Sequence, residues 1–397
     1  MDPDMMLRKT CLIILIFLYS FAIHAQVKIR LFTKANPDYF FFKVRKGSYN
    51  LDLYNNSDLK LYQGDIAMVS RYNNRLAVKV AGKEGLLVDS LCFRKNTDDN
   101  AFDINTGRDE YTAGSYTGDL SCLPDFGGIL LINTCDIEAY IAGVVKAEGG
   151  NGRSREYFRV QAVIARTYAY RNLDKHKADG YNLCDDIHCQ VFGGIITDTV
   201  ILGAVNDTRD LVIATPDSNL IIAAFHSNCG GETSPSEYVW LTAQPYLVRV
   251  KDPYCDQAKN ARWNKSLSLA DWTGMLKKKG ISAFPEGADS FTFSQQTRTQ
   301  TYTAGKISLP LRDIREYFNL RSTYFNVRSD GDSLLLEGKG YGHGVGLCQE
   351  GAMVMALSGK SFRDIIIFYY PGVLVIKVSD AKKDENSIVV PFESYVN

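Results

Sequence analysis

From Gln26 to about Lys95 the chain alternates apolar and polar residues in short runs: VKIRLF, YFFFKV, SYNLDLY, LKLY, IAMVS, RLAVKV and GLLVDSLCF. Asn-Pro, Lys-Gly, Asn-Asn and Gln-Gly pairs separate them. A period of two over strand-length runs, broken by turn residues, predicts a small all-β unit over 26–95. Residues 96–107 are polar and predict a connector, and strand-like text resumes over 108–131 with Tyr111 and Tyr116. The period then changes to three and four at Ile137, Tyr140, Ile141, Val144 and Val145. That spacing predicts a helix capped by Asp136 and ended by Gly149-Gly150-Asn151-Gly152. A second helix is predicted over 155–173, with Ala162, Ala165 and Ala169 permitting close packing. VILGAV, DLVIAT and LIIAAFHS predict strands, whereas 275–279, 311–318, 349–357 and 362–370 predict helices. The expected class is α+β: a helical segment packed with mixed or antiparallel β structure, plus a small β-rich N-terminal domain.

At 397 residues the chain has room for two or three folding units. Its 45 Lys and Arg balance 45 Asp and Glu, so it has no general field for nucleic acid, which is excluded as the expected partner. Leu12 to Ile23 is a short apolar run preceded by Arg8 and Lys9 and followed by His24-Ala25. This order predicts a signal peptide over 1–25 and an exported protein, periplasmic or in the cell envelope, with an uncleaved anchor as the rival. Nine cysteines, eight of them beyond the leader, make disulfides the alternative to every metal or thiol argument in an exported chain.

The residue singled out for chemistry is Glu148. At about 100° per residue it continues the apolar stripe of Ile137, Ile141, Val144 and Val145. A partly desolvated carboxyl has a raised pKa and can hold a proton for a leaving oxygen. The plainer reading is a solvated carboxylate at a helix end. Gln161 and Arg166 on the next helix are expected to face the same cleft, while Glu138 reads as a helix-dipole partner. His176, Cys184, His188 and Cys189 lie in one polar loop with N and S donors suited to zinc. The expected ligands are His176, Cys184 and Cys189, with His188 as substitute, and a Cys184–Cys189 disulfide is the rival. His226 ends an apolar strand, and His343 lies in Gly340-Tyr341-Gly342-His343-Gly344-Val345-Gly346. Both are candidates for a binding or catalytic cleft, against structural histidines bonded to backbone carbonyls. Cys229 or Cys348 with His226 or His343 would make a thiol-dependent hydrolase.

Five segments, in this order, resemble the stage II sporulation protein D family, also called the SpoIID/LytB domain. They are INTCDIEAYIAGVVKAEGG at 132–150, QAVIARTYAY at 161–170, YNLCDDIHCQVFGG at 181–194, FHSNCGGETS at 225–234 and GKGYGHGVGLCQEGAMVMA at 338–356. The resemblance covers about 105–372, with room for an accessory subdomain near 255–325 and a tail over 373–397. It implies action on peptidoglycan glycan strands. Sporulation members are lytic transglycosylases that cut peptide-stripped strands, leaving 1,6-anhydro ends, and related members enhance an N-acetylmuramoyl-L-alanine amidase. The family's acidic residue corresponds to Glu148, its zinc ligands to His176, Cys184 and Cys189, and its cleft motifs to Arg166, His226, His343 and Gln349. Zinc is implied as a structural ion. The serine or proline text usual after the glutamate is Gly-Gly-Asn-Gly here.

Overall fold

In the strand Tyr39–Lys46, Phe40, Phe42 and Val44 are buried and the residues between them face outward, as a period of two requires. The computed structural model describes residues 25–53, 59–107, 113–150, 152, 154–240, 242–284 and 286–382. Residues 1–24 of the expected leader (1–25) and the end of the expected tail, 383–397, lie outside them, as do Tyr111 and Asn151. Among the described residues no helix is long and apolar enough to cross a membrane.

Two sheets build the β unit. One has six antiparallel strands, ordered Ala113–Tyr116, Ala101–Asn105, Tyr39–Lys46, Ile66–Tyr72, Arg75–Val80 and Leu86–Val88. The other is ordered Leu183–Cys184, Gln26–Leu31, Gly128–Asp136, Asp119–Asp125, Leu91–Lys95, Ser48–Asp52 and Leu59–Tyr62. Its first pair is parallel and the rest are antiparallel. Phe42 of the first sheet stacks on Phe93 of the second with ring centroids 3.8 Å apart, so the two apolar faces share one core. The expected division at 95–105 therefore falls inside this body. Asp119–Asp125 and Gly128–Asp136 pair with strands from before it, because their buried positions complete the same face.

The eight helices named here are α1 (Ile137–Glu148), α2 (Arg155–Arg171), α3 (Thr199–Asp207), α4 (Glu237–Trp240), α5 (Leu269–Lys278), α6 (Leu311–Phe318), α7 (Gln349–Leu357) and α8 (Phe362–Tyr369). α1 leaves the strand Gly128–Asp136 directly, and the Asp136 carboxylate caps it by accepting the N–H groups of Glu138 and Ala139. The VILGAV segment is helix α3, not the expected strand. Asp198 caps it through Val200 and Ile201, and Ile201, Ala204 and Val205 recur at helical spacing on its buried side. LIIAAFHS is also mostly irregular: Phe225–His226 is its one strand, paired in parallel with Leu347–Cys348.

A second core surrounds fully buried Trp272, which stacks on Phe318 at 5.8 Å. It joins α5 and α6 to the antiparallel strands Arg262–Ser268, Ser333–Lys339 and Phe325–Asp330. This accessory unit extends past the expected limit of 325, since its central strand is Ser333–Lys339. The chain then returns to α7 and α8, and Leu374–Lys377 pairs antiparallel with Leu211–Ala214. The start of the expected tail is thus part of the fold.

Candidate functional site

Glu148 is the last residue of α1, so its side chain and its carbonyl, which the helix itself leaves without a partner, both project from the helix end. Oε1 accepts the Val191 N–H at 2.7 Å, and the backbone carbonyl accepts Nε2 of Gln349 at 2.7 Å. The residue retains some solvent access while its carboxyl lies among protein atoms. Burial pushes the carboxyl pKa up to about 8, against the opposing pull of the Val191 N–H. Among the described residues no cationic side chain pairs with it. Gly149 accepts the Tyr157 hydroxyl on its carbonyl at 2.9 Å, and Gly150 turns the chain at a φ of 61°, a left-handed conformation that suits glycine.

The segment that supplies Val191 is bound to α1 along its length. Gln190 Oε1 accepts from the buried Tyr140 hydroxyl at 3.2 Å, and the Phe192 ring lies 5.1 Å from that of Tyr140. Gly143 makes this approach feasible, since a β-carbon there would sit 2.6 Å from the Phe192 ring. Immediately before it, His176, Cys184, His188 and Cys189 place one ligand atom each within 4.8 Å of all the others. His176 Nε2 is 3.5 Å from Cys189 Sγ, and His188 Nδ1 is 3.7 Å from Cys184 Sγ. The Cys189 hydrogen bond, aided by the Asp186 N–H and His188, pushes the Cys184 thiol down to about 5. Two sulfurs and two imidazole nitrogens at these separations fit a tetrahedral zinc ion. All four would hold it, so His188 joins the set rather than substituting for a member. An ion there would order the loop and thereby the Val191 N–H; no open ligand position points to chemistry at the metal itself.

Other expected site residues have different surroundings. Arg166 does not face a cleft: it is fully buried and forks onto Glu138, with Nε–Oε1 at 2.9 Å and Nη2–Oε2 at 2.5 Å. Its remaining nitrogen donates to the Leu211 carbonyl at 3.1 Å, and complete burial keeps the group from a sugar. Glu138, read as a dipole partner, is the other half of this buried pair. Gln161 is buried on α2, and its side-chain nitrogen has no hydrogen-bond partner among the described residues. His226 and His343 face one another with ring centroids 5.5 Å apart, beside Trp240. His226 Nδ1 meets the Val345 carbonyl at 3.0 Å, and His343 accepts the Val345 N–H on Nδ1 while Nε2 meets the Phe225 carbonyl at 3.0 Å. Burial holds the His226 pKa well below the ordinary value. Both imidazoles thus tie the 225–226 strand to the glycine-rich loop.

No expected Cys–His pair forms from Cys229 or Cys348. Both are fully buried, and Cys229 Sγ meets Asp252 and Cys255 while Cys348 Sγ accepts backbone N–H groups. The sequence reading also missed Arg298, which is buried behind the glycine-rich loop and donates to the carbonyls of Cys229 and Glu232 at 2.6 and 2.7 Å. Gly344 makes room for it: at a φ of 83°, its added β-carbon would lie 2.8 Å from the guanidinium. Arg298 lies in a stretch without clear periodicity, so nothing local marks it.

Comparison with known proteins adds an independent line. A family model described as stage II sporulation protein matches residues 125–214, which contain α1, α2 and the Cys/His loop. The chain is 30% identical to stage II sporulation protein D of Bacillus subtilis over 263 residues, 62% of this chain and 75% of that protein. It is also 30% identical to an amidase enhancer of the same organism over 285 residues, 58% of this chain but 39% of that longer protein. An uncharacterized protein of Brachyspira hyodysenteriae is 28% identical over 374 residues, 92% of this chain and 97% of the relative. The helix that ends in Glu148 and the loop that grips it thus lie inside the matched region, and the chain belongs to the stage II sporulation protein D family.

Proposed function

We propose that this chain is exported by residues 1–25 and acts on peptidoglycan in the cell envelope. There Glu148 serves as the proton donor in cleavage of the β-1,4 bond between N-acetylmuramic acid and N-acetylglucosamine. The observation that carries this reading is the Glu148 carboxyl, removed from cationic partners and raised to about 8, so that it keeps its proton at neutral pH. It gives that proton to the glycosidic oxygen as the bond to the muramoyl C1 breaks. The C6 hydroxyl of the same sugar attacks C1, and its proton passes to the Glu148 carboxylate. The products are a free N-acetylglucosamine hydroxyl and a 1,6-anhydromuramoyl end, and no water is consumed. The Val191 N–H steadies the carboxyl for both transfers, and Gln349 holds the helix end from the other side.

The name of one relative, an amidase enhancer, lends more direct support to a second reading, in which the chain binds peptidoglycan and stimulates an N-acetylmuramoyl-L-alanine amidase without cutting glycan. The two readings separate when intact and peptide-stripped peptidoglycan are digested with wild-type and Glu148→Gln protein and the fragments are weighed by mass spectrometry. Cleavage predicts anhydro ends that fall at least ~100-fold in the variant and, in wild type, decline as pH rises above about 8. Anhydro ends made equally well by Glu148→Gln would remove Glu148 as the acid. Amidase stimulation retained by the variant, with no glycan products from either protein, would establish the second reading.

A further inference from the structure

Three cysteines far apart in sequence converge outside the loop that grips the Glu148 carboxyl. Cys229 follows the strand Phe225–His226, Cys255 closes the turn that begins at Asp252, and Cys348 is the N-cap residue of α7. Together with Asp252 they place three sulfurs and a carboxylate oxygen within 4.8 Å of one another, and all four residues are buried. Cys229 Sγ is 3.4 Å from Cys255 Sγ and 3.2 Å from Asp252 Oδ2.

Backbone N–H groups point at two of the three sulfurs. Cys348 Sγ accepts the N–H groups of Cys229 and Gly351 at 3.3 and 3.4 Å, and Cys255 Sγ accepts that of Gly231 at 3.2 Å. Backbone donors aimed at sulfur favour the anion. The carboxylate is oriented in the same way: Oδ1 is engaged by the Tyr254 N–H at 2.8 Å, while Oδ2 faces the sulfurs and accepts the Tyr369 hydroxyl at 2.8 Å. An outer hydrogen bond of this kind orients a metal-ligating carboxylate. Gly351 permits the approach, since a β-carbon there would lie 2.4 Å from Asp252 Oδ2.

We propose that Cys229, Asp252, Cys255 and Cys348 form a second zinc site, which clamps the start of α7 to the two turns carrying the other ligands. Zinc–sulfur bonds of ~2.3 Å in a tetrahedron put sulfurs roughly 3.8 Å apart, so the 3.4 Å between Cys229 and Cys255 reaches that value with a shift of a few tenths of an ångström. Binding releases three thiol protons and leaves a net charge of −2 on the group. The backbone donors and the Arg298 guanidinium, 2.6 Å from the Cys229 carbonyl, lie where they offset that charge. Four protein ligands leave no open position, so the ion is structural. Its consequence is positional: the residue after Cys348 is Gln349, which donates to the Glu148 carbonyl. Glu350 continues the tie by accepting from Asn228 at 2.6 Å and Asn260 at 2.8 Å. This clamp is independent of the chemistry assigned to Glu148.

Native mass spectrometry and elemental analysis of the full chain test it. Two zinc ions per wild-type chain are expected, one in Cys255→Ser, one in Asp252→Asn and one in Cys184→Ser. X-ray absorption of the Cys184→Ser protein should give about three sulfur neighbours and one light neighbour. Amide exchange over 347–351 should quicken at least ~10-fold in Asp252→Asn, with 184–192 unchanged. Should the serine variant fail to fold, the wild-type metal count and the asparagine variant still decide. A single zinc in wild type, or a chain 2 Da lighter with a disulfide among Cys229, Cys255 and Cys348, would overturn the proposal.

Discussion

Helix α1 carries two carboxyl groups that burial treats in opposite ways. Glu138, in its first turn, is 5% exposed and is met by the fork of Arg166. Glu148, ten residues later at the other end, meets a single backbone N–H on one oxygen. A guanidinium with matched geometry gives both Glu138 oxygens a partner and makes the residue part of the packing between α1, α2 and α3. One neutral donor does not offset the desolvation of a carboxylate, so Glu148 holds its proton instead. Burial of an acid is thus no sign of function until its partners are known, and the acid without a cation is the one with a proton to give.

The severest way to break this contrast is to remove the cation. Arg166→Met leaves Glu138 buried and unpaired, and should cost about 3–5 kcal/mol in urea denaturation. A loss below about 1 kcal/mol would mean that solvent reaches the pair.

A smaller effect follows from the other acid. The folded state binds the Glu148 proton more tightly than the unfolded chain, so between 4.5 and about 8 stability falls as pH rises, then levels off. A tenfold difference in proton affinity between the two states is worth about 1.4 kcal/mol, before the residue's partial solvent access reduces it. Glu148→Gln, which keeps an acceptor for Val191, should flatten that slope and stabilise the protein at pH 8 relative to wild type. Parallel slopes for the two proteins would show that the carboxyl is ionised across this range.

The smallest expected effect is at Gln349. Gln349→Ala removes one hydrogen bond to the Glu148 carbonyl and should cost about 1 kcal/mol in denaturation. It should leave the pH slope due to Glu148 in place, because the carboxyl is held by Val191. A slope that vanished with Gln349 would tie the carboxyl to α7 rather than to the Cys/His loop.

How much of this was legible varied with the range of the interaction. α1 was readable to the residue, because Asp136 caps it locally and its apolar positions repeat at helical spacing. The His176–Cys189 cluster was readable because its donors lie within one loop, although His188, expected only as a substitute, stands as close as the other three. VILGAV misled because a short apolar run fits a strand or a buried helix equally, and the cap at Asp198 decided between them. Arg166 misled because a cationic side chain one helix away from an acid can face either end of that helix.

The amino-acid sequence by itself determined the α+β class, the helix that ends in Glu148, the family and the first donor cluster, all of which depend on local pattern or on motifs in order. Tertiary structure alone decided which acid Arg166 neutralises, that two sheets share strands from both sides of residue 100, and that Cys229, Asp252, Cys255 and Cys348 meet. Such meetings are set by how layers stack and where loops close, and a chain carries no periodic signal for contacts between residues in separate elements.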